Sequence, residues 1–463
     1  MIKKYTALYF LLPLLLFILQ AIYTFNSFNQ IRYEELANAI RNPFWLSQGL
    51  VYDGVSTSVG WDGTILIIYN LFGFNLFTGK FFRLFLSLIS FFCLSLILKK
   101  YLGEKWAWLP LLLIGLSPTL LFYTTLQAQY AIDLQYLPIV IYLLINSRWW
   151  INLIGVFISM IAWLSYPPFM FYLPLLVWLY IKNNQGVKKI SSALVAFIFP
   201  FIIPYLYISN KEIFLNDTNT GGGVFRGAGN FSLDSFSSNL VGLFSDLFIK
   251  GKSYHFEVYL AEFSLIFPII SLAFLVYGLW EVIKLKKWRM LIILSLVSAV
   301  AVVVLSSLTL DPSGFPGIRR YTPVLVGFYA LLIIVWQSGV LKKWGMVVLG
   351  LLLIHHLIVY PVNLIHLKDP SPSKEPLWFS RLETPQKSLD SLVETVQKED
   401  LKLVCMDEKK NPVYCRLSEV YAAVAGSCQW NHLDCHQILG YDFKSNQLIP
   451  LNVGLWDSYY FEH

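Results

Sequence analysis

The sequence predicts an α-helical polytopic membrane protein of about 11 transmembrane helices, followed by a small extracytoplasmic α/β C-terminal domain. Three observations lead there. The chain of 463 residues is 56% hydrophobic and only 14% charged, whereas soluble domains are about a quarter charged. Its mean hydropathy is +0.59. Apolar blocks of near-spanning length fill most of residues 1–362, and Lys and Arg gather in alternate connections between them. These clusters are Lys3/Lys4, Lys99/Lys100/Lys105, Arg148, Lys182/Lys188/Lys189, Lys284/Lys286/Lys287/Arg289 and Lys342/Lys343.

Positive charge is retained on the cytoplasmic side of a membrane. The alternation therefore predicts a multi-pass protein of the inner (plasma) membrane, N-terminus cytoplasmic and C-terminal domain outside. It also explains the net charge of +7 without invoking nucleic acid, because the excess sits in short loops beside apolar segments. The 15 Trp and 27 Tyr suit contact with membrane lipids, since such rings favour the headgroup boundary.

A helix needs roughly 20 apolar residues to span. The first block, 5–25, follows a basic start but lacks a small-x-small cleavage pattern, so a retained helix is expected rather than a signal peptide. Further helices are expected near 77–98, 106–123, 128–146, 149–165, 168–182, 190–208, 259–283, 290–309, 321–337 and 345–362. The turn Tyr166-Pro167-Pro168 joins two of them tightly. Between the first two lies an outward loop, 26–76. It holds a short surface helix beginning near Tyr33 and a half-buried apolar piece from Trp61 to Leu71, too short to span alone. The second outward loop, 209–258, centres on Gly221–Gly223, Gly227 and Gly229. It reads either as a flexible tether or as a mobile cover hinged on small residues.

The chain turns soluble after residue 362. A linker at 363–376 precedes a domain at 377–463, with helical spacing from Leu389 to Val396 and strands at 401–406 and 413–415. Cys405, Cys415, Cys428 and Cys435 fall there, and an even set outside the cell reads as two disulfides. A zinc site using His432 and His436 is the alternative, but the Cys spacings do not form tight ligand pairs. Cys93, inside an apolar block, reads as a packing residue.

Candidate site residues lie on the outward side. Asp133 is foremost, because a carboxylate within a spanning block is costly unless it faces a cavity or a partner. Glu34 and Glu35 open the surface helix, where acids also favour the helix dipole. Asp53 precedes Gly54 and reads equally as a turn residue. Asp62 lies in the half-buried piece. Arg319, Arg320 and Tyr321 stand on the outer side, against the positive-inside trend; paired guanidinium groups suit a lipid phosphate. Headgroup anchoring is the plainer alternative. Arg226, in the Gly-rich loop, is a weaker candidate of the same kind. No cofactor is indicated, and the carboxylates show no spacing diagnostic of a divalent metal.

The order of elements resembles the GT-C superfamily of integral-membrane glycosyltransferases, in the branch of protein O-mannosyltransferases and aminoarabinose transferases. The resemblance covers roughly residues 1–360. It rests on the first outward loop, Leu71-Phe72-Gly73-Phe74, Lys80-Phe81-Phe82-Arg83-Leu84, Leu116-Ser117-Pro118, Gln127 to Pro138, and Arg319-Arg320-Tyr321-Thr322-Pro323. It implies a polyprenyl-phosphate-linked sugar donor, a protein, lipid or glycan acceptor, and transfer with inversion by an outward carboxylate. Asn29-Gln30 occupy the positions where that family carries an acidic pair, while its second acid falls on Asp133. A transporter or a non-catalytic assembly partner are the rival functions. No internal repeat supports transport.

Overall fold

The computed structural model describes residues 7–27, 42–47, 59–183, 233–248, 321–337 and 342–368, the strands 439–442 and 447–450, and isolated residues at 197, 261–262, 273–304 and 430. Within them the chain is helical apart from one antiparallel pair, β1 (Leu439–Asp442) with β2 (Gln447–Pro450). The helices are α1 (Leu8–Asn26), α2 (Asn42–Ser47), α3 (Val59–Phe72), α4 (Thr78–Leu102), α5 (Trp108–Gly115), α6 (Pro118–Tyr123), α7 (Asp133–Leu144), α8 (Trp149–Ser165), α9 (Leu173–Asn183), α10 (Leu233–Phe248), α11 (Thr322–Gln337) and α12 (Lys342–Lys368). Among the described residues, three stretches are long and apolar enough to cross a bilayer: Leu8–Asn26, Thr78–Leu102 and Lys343–Ile365. Several shorter apolar helices accompany them.

Among the described residues most expected boundaries recur, and the departures have local causes; the surface helix expected near Tyr33 and most of the helices expected at 190–208, 259–283 and 290–309 lie outside them. The block 106–123 is two helices, because Ser117 leaves the helical path and caps α6, its Oγ accepting from the Leu120 amide at 3.2 Å. Pro118, with no amide to donate, is well suited to that first helical position. The block expected from 128 begins its helix only at Asp133, preceded by a buried irregular loop. The block from 168 opens as a 3-10 turn at Pro167–Tyr172 before α9. Residues 233–248, expected as outward loop, form α10, in which Leu243 and Leu247 are buried while Val241 and Phe244 are exposed. The hairpin of β1 and β2 was not foreseen in the C-terminal domain.

Two packed halves make up the interior. One gathers α1, α5, α6, α11 and α12; the other gathers α3, α7, α8 and the turn leading to α9. Large apolar side chains such as Phe10, Leu71, Phe85 and Phe157 point outward, as expected of surfaces that meet lipid. Gly60 lets α3 lie directly on α8: a Cβ there would come within 2.7 Å of the Ile161 carbonyl oxygen and of the Ser165 amide nitrogen. Helix α4 runs between the halves, and Tyr130 packs against both. Cys93 is buried in α4 as a free thiol. The four C-terminal cysteines lie outside the described residues.

One end of the bundle is fastened by ordinary surface contacts. Lys99 pairs with Glu104 at 2.7 Å, the Tyr9 hydroxyl donates to the Glu104 carbonyl, and Lys100 donates to the Ile145 carbonyl at 3.0 Å.

Candidate functional site

The buried loop 124–132 positions the site. Every residue from Thr124 to Gln129 is buried, so its peptide groups must be satisfied from within the protein. Arg83, on α4 and fully buried, grips the loop: its guanidinium donates to the Ala128 carbonyl at 2.7 Å and the Tyr130 carbonyl at 3.0 Å. A third donation goes to Gln135 Oε1 at 2.9 Å. Gln135 returns its amide to the Arg83 carbonyl and to Ser87 Oγ, both at 2.7 Å. The rigid planar fork of Arg suits such multiple donation. Arg83 therefore holds the chain on both sides of Asp133.

Between those anchors Ala131 adopts φ +53°, a left-handed conformation that costs a non-glycine residue roughly 1 kcal/mol or more. The strained turn delivers Asp133 to the first turn of α7 with its side chain fully buried. Oδ2 accepts the Thr322 hydroxyl at 2.5 Å and the Tyr172 hydroxyl at 3.1 Å. Oδ1 closes no hydrogen bond. Tyr172 belongs to one packed half, while Tyr321, beside Thr322, belongs to the other. Asp133 thus sits where the halves meet, a common location for ligand sites.

The first turns of α3 and α4 approach the same loop. A Cβ on Gly79 would meet Trp61 at 3.2 Å and Gln127 at 3.5 Å, so only hydrogen fits between them comfortably. Asp62, next to Trp61, is fully buried in the first turn of α3. Lys80, next to Gly79, is almost fully buried and donates to the Ser27 carbonyl at 2.7 Å and to Ser27 Oγ at 3.2 Å.

A second buried acid, Glu262, is set among other elements. Its Oε1 accepts from Ser117 Oγ at 2.6 Å and from the Thr119 amide at 3.0 Å. Its Oε2 accepts the Tyr329 hydroxyl at 2.5 Å and lies 3.4 Å from His356 Nε2. Tyr329 follows Thr322 by seven residues, two turns along α11, placing the two acids at different levels of one helix.

Of the residues expected from sequence, Asp133, Asp62 and Tyr321 are described, and all three are fully buried. Glu34, Glu35, Asp53, Arg226, Arg319 and Arg320 lie outside the described residues. Sequence reasoning passed over Lys80, Arg83, Glu262 and His356 as site candidates. The signal that found Asp133 applied to them as well: an ionisable side chain within an apolar block marks function or a specific partner. Among the described residues, no group of three or more His, Cys, Asp or Glu is arranged to hold a metal ion.

No protein-family model matches the chain, and no curated protein matches it. Among solved structures, it is similar to ArnT from Cupriavidus metallidurans, crystallised with undecaprenyl phosphate. The two share a TM-score of 0.50 at 12% identity, over 91% of this chain and 85% of that one. At that identity the likeness is one of fold. The chain shares the fold of that structure, and among its described residues three helices are long and apolar enough to cross a membrane.

Proposed function

We propose that this protein is a glycosyltransferase that moves a sugar from a polyprenyl-phosphate-linked donor to an extracytoplasmic hydroxyl acceptor, with inversion. The observation that carries the reading is the hydrogen bond between Asp133 and Thr322, residues 189 apart in sequence. It ties a buried carboxylate to the segment that begins Arg319-Arg320-Tyr321. Two residues extend at most about 7 Å, so connectivity alone keeps the Arg320 backbone within that reach of Thr322. On this reading the acid and the two guanidinium groups work in one neighbourhood. The GT-C-like fold supports the same reading, because the ArnT structure holds undecaprenyl phosphate.

In this mechanism Asp133 takes the proton of the acceptor hydroxyl. The acceptor oxygen attacks the anomeric carbon from the face opposite the phosphate, and the carbon–oxygen bond to phosphate breaks with its electron pair leaving on the lipid phosphate. Arg319 and Arg320 neutralise that charge where it develops, with Tyr321 beside them. Lys80, a buried cation in the first turn of α4, is a third group suited to the phosphate, and Asp62 beside the same loop suits the sugar hydroxyls. Glu34, Glu35 and Asp53 are alternative bases in the first outward loop, and Arg226 is a further phosphate contact. The expected division is a membrane domain at 1–362, a linker at 363–376 and an extracytoplasmic domain at 377–463; because α12 stays helical to Lys368, the linker is shortened to 369–376.

The test uses purified full-length protein in lipid nanodiscs, supplied with undecaprenyl phosphate carrying a labelled hexose, pentose or aminosugar in turn, and with extracted envelope material as acceptor. Label should move to the acceptor with release of undecaprenyl phosphate, and Asp133→Asn should abolish the transfer. Uptake of label without covalent transfer would make the protein a transporter, and no handling of any donor would make it an assembly partner.

A further inference from the structure

We propose that Thr322, together with Tyr172, is a positioning residue for Asp133, holding Oδ2 so that Oδ1 faces the acceptor hydroxyl. The inference rests on the glycosyltransferase reading and concerns how its acid is aimed.

The hydrogen-bond pattern is the warrant. A carboxylate offers two oxygens and about four acceptor sites. When such a group is purely structural, its donors are expected on both oxygens, because each buried and unpaired polar atom is costly. Asp133 departs from that pattern. Both hydroxyl donors converge on Oδ2, and Oδ1 is left unpaired in a fully buried side chain. The donors also come from different elements. Tyr172 ends the 3-10 turn after Pro167, and Thr322 opens α11. Thr322 is β-branched, so its side chain is stiff at χ1 and its hydroxyl has few alternative positions. The backbone adds to the constraint, with Arg83 clamping the carbonyls of Ala128 and Tyr130 and the side chain of Gln135. The carboxylate is held through one oxygen, and the other is left without a hydrogen-bond donor. A general base needs that: a lone pair within hydrogen-bond reach of the proton it takes.

Thr322 is well placed to link the two ends of the reaction. It is covalently joined to the Arg319-Arg320-Tyr321 segment and hydrogen-bonded to the acid. A shift of α11 on binding the lipid phosphate would therefore move the hydroxyl that aims Asp133.

The experiment measures donor turnover in nanodiscs for Thr322→Val, Thr322→Ser, Tyr172→Phe and the parent protein, with undecaprenyl-phosphate sugars as the probe and thermal unfolding as the control. Thr322→Val keeps the shape and removes the hydroxyl, so kcat should fall about tenfold to a hundredfold, in line with the loss of one hydrogen bond to a charged group. The KM for the donor should hold and the unfolding midpoint should be close to that of the parent. Thr322→Ser should restore most of kcat, and Tyr172→Phe should fall in the same sense as Thr322→Val. Parental kcat in Thr322→Val, or a loss that appears in donor KM or in unfolding alone, overturns the positioning role and leaves the glycosyltransferase reading standing. Absence of turnover in the parent protein overturns both.

Discussion

Among the described residues Asp62, Asp133 and Glu262 are fully buried carboxylates, and two of them, Glu262 and Asp133, are treated in opposite ways. Glu262 is saturated: Ser117, the Thr119 amide, Tyr329 and His356 surround both oxygens, and they come from the α5–α6 junction, α11 and α12. Asp133 is half-open, with two donors on one oxygen and none on the other. Burial alone therefore does not mark a reactive acid. The distinction lies in whether every lone pair is occupied. A saturated carboxylate fastens elements together, whereas a half-occupied one retains the capacity to accept a proton or a hydroxyl.

Substitutions can break or sharpen this contrast. The largest effect is expected at the open acid: Asp133→Asn should lower turnover about a hundredfold to ten-thousandfold, with little change in unfolding temperature. Turnover that survives in this variant would erase the contrast. Next, Glu262→Ala should destabilise the protein by about 3–5 kcal/mol, because it strands several buried polar partners at once. Scanning fluorimetry would show the loss, while turnover per folded molecule stays near that of the parent. Arg83→Lys preserves charge but loses the fork, so about 2 kcal/mol of stability should go with the broken charge-assisted bonds. Turnover should fall beyond what unfolding explains, since the loop carrying Asp133 loosens. The smallest effect belongs to Ser117→Ala. It removes a helix cap and one donor to Glu262, and should cost about 1 kcal/mol. A loss as large as that of Glu262→Ala would mean that Ser117, not the carboxylate, holds the junction.

Much of the helical framework was legible, for reasons that can be traced to single residues. Helix α8 begins after Arg148 and ends before Tyr166-Pro167, because charge and proline bound an unbroken apolar run. The break between α5 and α6 was not read, since Leu116-Ser117-Pro118 is apolar enough to pass as continuous helix; hydropathy is blind to a cap. Asp133 could be found because ionised groups are conspicuous in an apolar block. Its partners could not, because Tyr172 and Thr322 are ordinary residues in sequence and become informative only once the fold sets their hydroxyls on one oxygen. Lys80, Arg83 and Glu262 were as conspicuous as Asp133. What separated their roles was the count of partners around each, which only tertiary packing supplies.

Gly79 has a mechanical implication. A methyl there would lie 3.2 Å from Trp61 and 3.5 Å from Gln127, so the start of α3, the start of α4 and the acid loop pack closely together, and Gly79→Ala would displace the Trp61 ring by a few tenths of an ångström. Under the proposed function, a lipid-linked sugar would be received against this close-packed side rather than between its parts.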